Sequence, residues 1–466
     1  MANFIDRDRE RAALQREYER SSASFVVMYG RRRVGKTTLL AEFIKDKHAL
    51  YFLATEESEA QNRAAFKNAV AEFTDDSLLR NATVDRWEDL FDRLTASSMP
   101  GGERLVLVLD EFQYLGKANA AFPSVMQRIW DTTLKNRNVM LVVCGSLISM
   151  MVDQTLSYAS PLYGRRTAQM KMGQLPFSCY REFFPGKDRR ALIEFYSVTG
   201  GVPKYIELFD GAGDIYKAIE RNVLDTSSFL YDEPQFLLQK EVGDVGSYFS
   251  IIKAIAAGNR KLGNIAAALE VKQTSLTKYL KVLSDLDVLE REVPVTEDNP
   301  QKSKKGLYRL KDNFLLFWFK FVFPNLGLIE SGHPEKVMET IRVNFLDSQA
   351  AFVYEDVCRD HMWQLSADDV WPFSLQKVGR WWGVGDVEID VLGLDDQGRN
   401  AVFAECKFWK GSVGLNVLRS LEQKAARVPW HKGDRADWYV LFSIAGFTDE
   451  LRAEAASRED LLLVEG

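Results

Sequence analysis

The sequence predicts an α/β protein: an open parallel sheet covered by helices on both faces, then a helical segment, a small helical module and a second α/β domain. Three observations carry this. Short aliphatic runs alternate with helically spaced segments through the first third of the chain. Residues 105–109 read LVLVL, the unbroken aliphatic run of a strand buried on both faces. Residues 385–393 and 402–408 alternate in character around the turn Asp395-Asp396-Gln397-Gly398, as the arms of a hairpin do.

Residues 4–14 lead, as a strand or loop, into a first helix. The strand at 25–29 ends at Gly30, where residues 30–37 read GRRRVGKT and fit G-x-x-x-x-G-K-[ST] without a mismatch. Glycines let the backbone curl so that N–H groups point at phosphate. The helix opening near Lys36 adds its positive end. Gly30, Arg31, Arg32, Arg33, Val34, Gly35, Lys36, Thr37 and Thr38 are therefore the candidate nucleotide contacts. Lys36 is placed to reach the β- and γ-phosphates of ATP, and Thr37 to offer its hydroxyl to Mg²⁺.

A second strand is expected at 50–53, and helices at 60–73 and 87–94. The strand at 105–109 then closes on two carboxylates, although a doubly buried strand should end dry. Asp110 is placed to hold Mg²⁺, directly or through water. Glu111 is placed to orient and deprotonate the attacking water. A helix at 122–134 and a strand at 139–143 follow. That strand runs into Cys144-Gly145-Ser146. Ser146 either senses the γ-phosphate and the attacking water or caps the next helix. Arg165 and Arg166 offer a cation to the transferring phosphoryl group, in cis or from a neighbouring subunit; a solvated turn is the other reading.

Bulk composition bounds the class. A chain of 466 residues accommodates about three domains. Its 46% hydrophobic and 27% charged content is that of an ordinary soluble protein. The net charge of −6 means that any nucleic-acid binding must come from a local patch. The N-terminus is charged from the start, with no targeting signal, and no apolar run is long enough to span a bilayer. The nearest, 314–323, is interrupted by Lys320 and reads as a buried helix. Four scattered cysteines without a C-x-x-C pair point to a reducing cytoplasm and away from structural zinc.

Residues 170–240 read as mostly helical. Within them, Thr199-Gly200-Gly201-Val202-Pro203 breaks the helix, either to approach a nucleotide or as a plain turn. Residues 245–311 change rhythm. Helices are expected at 248–256, 262–269 and 274–286, then strands at 288–295 and 306–310 around the basic loop Lys302-Ser303-Lys304-Lys305. Three helices and a ribbon make a winged helix-turn-helix. In the third helix Ser275, Thr277, Lys278 and Lys281 are polar, while Leu276, Tyr279, Leu280 and Leu283 face inward. Residues 253–320 hold 13 Lys/Arg against 8 Asp/Glu, so the module is locally basic. DNA binding is the functional reading and protein packing the other.

The C-terminal hairpin carries a second constellation. On alternation Asp390 shares a face with Glu388, and Glu405 shares one with Phe403 and Lys407. Asp390, Glu405 and Lys407 can therefore converge. Two carboxylates would hold Mg²⁺ and the lysine would position or deprotonate a water. An ordinary hairpin with a Lys–Glu pair is the other reading. A helix at 345–358 brings Glu355 ahead of the hairpin as a further carboxylate.

With these residues in view, the chain resembles the archaeal-type ATPases of the STAND/AAA-like P-loop class, whose C-terminal region looks like a PD-(D/E)xK, restriction-endonuclease-like nuclease fold. The match spans nearly the whole chain. Its carriers are Phe4-Ile5-Asp6-Arg7, GRRRVGKT, LVLDEFQYL, CGS, PLYGR, GGVPKY, the winged helix and EID…ECK. The resemblance implies that Arg7 and Pro203 neighbour the nucleotide. It also marks Asp6 as a departure, since the family usually has glycine there, and a different local backbone is expected.

The expected organisation is a P-loop ATPase core at 1–165, a helical lid at 166–242, a winged helix-turn-helix at 243–325 and a nuclease-like domain at 330–466. The expected function is Mg²⁺-dependent ATP hydrolysis that regulates DNA binding, with DNA cleavage as a companion activity. The alternative is a slow nucleotide switch that binds protein partners or further copies of itself, with an inactive nuclease-like domain.

Overall fold

The computed structural model describes residues 5–96, 102–383, 385 and 387–466; Phe4 and Asp386, which the motifs above include, lie outside them. The chain forms two compact units. The first comprises Met1–Leu175 with Val202–Lys204 and Leu237–Gly243, and the second comprises the remainder.

The first unit is built on five parallel strands: β1 (Ser24–Tyr29), β2 (Ala49–Leu53), β3 (Leu105–Asp110), β4 (Val139–Gly145) and β5 (Ala168–Lys171), in the order β2-β3-β4-β1-β5. Every residue of β3 and β4 is buried. Alternation sorts their side chains onto two cores. Phe25, Val27, Leu107, Leu109, Leu141 and Val143 face one core, which holds residues of α3 (Glu59–Phe73), α4 (Trp87–Ala96) and α5 (Phe122–Thr132). Val26, Met28, Val106, Val108, Met140 and Val142 face the other, with residues of α1 (Asp8–Tyr18) and α2 (Lys36–Ile44). The sheet is thus covered on both faces, as the aliphatic runs require. It also continues past residue 165, because β5 pairs with β1. Since all five strands run the same way, the loops after β1, β3 and β4 emerge at one edge.

The second unit opens its small module with α6 (Val245–Ala256), α7 (Leu262–Ala268) and α8 (Gln273–Asp285), followed by the antiparallel pair β6 (Leu289–Glu292) and β7 (Leu307–Leu310). Leu276, Leu280 and Leu283 are buried, Tyr279 is half-buried, and Ser275, Thr277, Lys278 and Lys281 are exposed. The first ribbon strand is shorter than the expected 288–295. Pro294 has no N–H to give a ladder, and the Val295 N–H donates instead to the Arg380 carbonyl at 2.9 Å. Residues 314–322 are buried save for half-buried Leu316 and Lys320, in the helix Asn313–Phe317 and the π-helical turn Trp318–Val322.

A mixed sheet completes this unit: β8 (Leu375–Trp382), β9 (Glu388–Asp395), β10 (Asn400–Lys407), β11 (Ala436–Ser443) and β12 (Leu461–Glu465), in the order β12-β11-β10-β9-β8. β8, β9 and β10 are antiparallel neighbours, while β10, β11 and β12 run parallel. The helix α9 (Ala351–Ala367) packs against β8, β9 and β10, and α10 (Leu415–Ala425) buries Val417, Leu418 and Leu421 in a core with Phe403 and Leu441.

An ionic cluster joins the ribbon to α9. Arg309 on β7 is 5% exposed and pairs with Glu290, with Glu292 at 3.1 Å and with Asp356 at 2.7 Å. Arg359 reaches Glu292 at 3.3 Å and Asp356 at 2.9 Å. Burial alone would raise the Asp356 carboxyl, but Arg309 and Arg359 outweigh it and hold it at about 2. Among the described residues no helix is long and apolar enough to cross a membrane.

Candidate functional site

The phosphate-type loop leaves β1 at Gly30. A Cβ there would stand 2.2 Å from the Met172 carbonyl oxygen, so only glycine fits where the β5 exit crosses the loop. Gly35 has φ 92°, the left-handed conformation glycine adopts without strain, and it precedes α2 directly. Lys36 is 6% exposed, and its Nζ donates to the carbonyls of Gly30 at 2.7 Å and Arg31 at 2.8 Å. Burial pulls its ammonium below the usual range, against the nearby Glu111 and Asp110 carboxylates.

Asp110 ends β3 at the same edge. Its Oδ2 accepts the Thr37 hydroxyl at 3.0 Å and the Tyr51 hydroxyl at 2.5 Å, and its Oδ1 accepts the Glu111 N–H at 2.8 Å. The Thr37 hydroxyl and the Asp110 carboxylate are hard oxygen donors side by side, a set that suits a small divalent cation such as Mg²⁺. Glu111 has φ 52°, and its Oε2 accepts the Ser146 hydroxyl at 2.8 Å and the Gln113 amide. The Ser146 hydroxyl thus turns to Glu111. The helix Ile148–Met151 has Leu147 at its N-cap, with no side-chain cap.

The remaining loop candidates fall around this edge. Arg32 donates to the Tyr114 hydroxyl at 2.9 Å, Arg33 sits at φ 69°, Val34 is buried, and Thr38 lies on the exposed side of α2. Arg7 is 6% exposed and donates to the carbonyls of Val34 at 2.9 Å and Gly173 at 2.7 Å, so it braces the loop. Pro203 lies 4.0 Å from where a Cβ on Gly35 would be. Asp6 has φ 60°, a left-handed conformation of the kind a glycine favours and an aspartate tolerates. Arg165 is held by Asp131 at 2.8 Å, and Arg166 donates to Gln169 at 2.7 Å.

Two residues here had no motif to announce them. Tyr51 reaches Asp110 because β2 and β3 are neighbours in the sheet. Glu241, from the segment Leu237–Gly243, accepts the Ile148 N–H at 3.4 Å, while its Oε2 is buried without a hydrogen-bond partner. Burial pushes its carboxyl up to about 7, although Arg31 and Arg32 pull the other way.

In the second unit, Asp390, Glu405 and Lys407 do come together. The Cys406 N–H donates to Asp390 Oδ2 at 2.9 Å, which fixes that carboxylate against β10. Lys407 Nζ donates to Glu405 Oε1 at 2.7 Å. Lys424, from α10, joins them: its Nζ lies 2.9 Å from both Glu405 oxygens. Burial and the Glu405 charge raise the Asp390 carboxyl. Burial lowers the Lys407 ammonium, but Glu405 overrides it, and the net direction is up. Glu355 faces Asp390 electrostatically and is ion-paired with Arg380; burial pushes it up to about 8. Among the described residues no group of three or more His, Cys, Asp or Glu is arranged to hold a metal, so any cation here would rest on the Asp390–Glu405 pair. Two carboxylates beside two ammonium groups suit a divalent cation and a phosphate together.

Comparison with known proteins agrees with this architecture. Residues 4–209 match the ATPase domain found predominantly in Archaea, and residues 318–426 match a family of archaeal and bacterial proteins of unknown function. An uncharacterized protein of Methanocaldococcus jannaschii, MJECL04, is 37% identical over 416 residues, covering 89% of this chain and 90% of that one. The type IV methyl-directed restriction enzyme EcoKMrr of Escherichia coli (strain K12) is 36% identical over 94 residues, 20% of this chain and 28% of that enzyme. Among solved structures, a Walker-type ATPase of Pyrococcus abyssi is similar in fold, with a TM-score of 0.50 and 18% identity, covering 68% of this chain and 96% of that chain. The parallel core, its nucleotide-binding loop and these matches together place the chain in the archaeal-type P-loop ATPase family, in which that ATPase domain is joined to the C-terminal domain of unknown function.

Proposed function

We propose that the protein is a Mg²⁺-dependent ATPase whose nucleotide state controls engagement of DNA. The observation that carries the ATPase reading is the Thr37–Asp110 contact, with Glu111 next in the chain and Lys36 in the loop beside it. Lys36 holds the β- and γ-phosphates, Thr37 and Asp110 hold Mg²⁺, and Glu111 takes the proton of the attacking water. Gly30, Arg31, Arg32, Arg33, Val34, Gly35 and Thr38 line the nucleotide. Arg7 and Pro203 support it from behind the loop, and Ser146 tunes Glu111. The ion supplies charge neutralisation at the phosphates; the chain's own residues orient and deprotonate.

The DNA reading rests on the module Val245–Leu310, read as a winged helix. Its third helix exposes Ser275, Thr277, Lys278 and Lys281, the side that would enter a major groove. The companion activity is cleavage of DNA at Asp390, Glu405 and Lys407. Asp390 and Glu405 hold a divalent cation, and Lys407 positions or deprotonates water. The similarity to a restriction enzyme supports this part. A second reading, a slow nucleotide switch that binds protein partners or further copies of itself, is favoured by one observation: lysines already neutralise Glu405.

The experiment is Mg²⁺- or Mn²⁺-dependent cleavage of supercoiled and linear DNA, with and without ATP, for the native protein and Lys407→Ala. Cleavage lost in the variant is the expected result. No cleavage under any metal or nucleotide would leave the switch.

A further inference from the structure

Lys424 is the unexpected member of the second constellation. It lies on α10, 19 residues beyond Glu405, and contacts both carboxylate oxygens at 2.9 Å. Lys407, by contrast, touches one oxygen from the same strand. Glu405 is 6% exposed, so its two oxygens have few other partners to choose from. The helix carrying Lys424 is fixed by Val417, Leu418, Leu421 and Ala425 in the core, while the lysine side chain itself is 28% exposed. Its backbone is therefore anchored and its ammonium is free to swing.

We propose that Lys424 and a divalent cation compete for the same carboxylate, so that Lys424 guards the site and is handed to the phosphodiester when the cation takes Glu405. This deepens the metal reading of Asp390 and Glu405 above and rests on it. The geometry argues for exchange. A lysine straddling both oxygens covers the directions from which a cation would approach, and Asp390, already bonded to the Cys406 N–H, offers only part of a coordination set. Once displaced, the ammonium remains tethered within reach of the carboxylates, where an anionic phosphate bridged to the cation would sit. The ligand class is thus a divalent cation together with a phosphodiester.

The test is Mn²⁺ binding to the full chain without nucleotide, by titration calorimetry, for native protein, Glu405→Gln, Lys424→Met and Lys424→Arg. Thermal melting of each variant confirms folding. Lys424→Met keeps the stem and removes the competing charge, so Mn²⁺ should bind on the order of tenfold tighter while DNA cleavage falls. Lys424→Arg keeps the charge and should bind Mn²⁺ as the native chain does. Unchanged or weaker binding in Lys424→Met, with a Glu405-dependent site present in the native chain, overturns the competition and leaves the metal reading intact. Equal binding by native protein and Glu405→Gln overturns the metal reading itself.

Discussion

The Thr37 hydroxyl donates to Asp110 at 3.0 Å, tying the loop after β1 to the tip of β3 across the intervening strand β4. Two segments far apart in sequence thereby present one pair of hard oxygens. Asp110→Asn keeps the shape and removes the charge of that pair. ATP turnover should fall roughly 10²–10³-fold while nucleotide binding persists. Steady-state hydrolysis alongside fluorescent-nucleotide binding checks both; undiminished turnover would remove Asp110 from the mechanism.

Ser146 bonds to Glu111 and not to the following helix. Ser146→Ala should lower kcat roughly tenfold through a misplaced base. Its melting temperature should barely move, since no cap is lost. A stability loss of about 1 kcal/mol with normal kcat would mark a structural hydroxyl instead.

Glu241 carries a pH dependence whose sign can be worked out. Its carboxyl is raised to about 7 in the folded chain, from an ordinary value of 4.5. Between those values the folded state holds a proton that the unfolded state has lost, so this group's contribution falls as pH rises through the window. Glu241→Gln removes that loss. The variant should match the native protein near pH 4.5 and exceed it at pH 8 by on the order of 3 kcal/mol. Urea unfolding at the two pH values measures the difference; equal curves at pH 8 would contradict the burial argument.

Arg309→Met should destabilise the second unit by about 3–5 kcal/mol, because Glu290, Glu292 and Asp356 would keep their charges and lose their central partner. Chemical denaturation followed by tryptophan emission is suitable, since Trp318 and Trp381 lie in that unit. A loss under 1 kcal/mol would mean that water already shares the cluster.

Contiguous chemistry was legible in the sequence. GRRRVGKT and LVLDE each place their groups within one turn and one strand end, and alternation puts Glu405 and Lys407 on one face of their strand, where they meet at 2.7 Å. What escaped was whatever depends on neighbours supplied by the fold. Tyr51 meets Asp110 through strand order, Lys424 meets Glu405 through the packing of α10, and Arg309 meets Asp356 through the docking of a ribbon on a helix. No local period encodes such meetings. One strand end was set too late, at 295, where the ladder stops at Glu292 ahead of Pro294.

The charge cluster at Arg309 also bears on how this protein can be taken apart. Cutting the chain between the ribbon and α9 would leave Asp356 and Arg359 on one piece and Glu290, Glu292 and Arg309 on the other. The cut would part Arg309 from Asp356 and Glu292 from Arg359. The ribbon and the C-terminal sheet should therefore resist separation by limited proteolysis and melt as a single cooperative block, so that whatever grips the ribbon also loads the helix that carries Glu355.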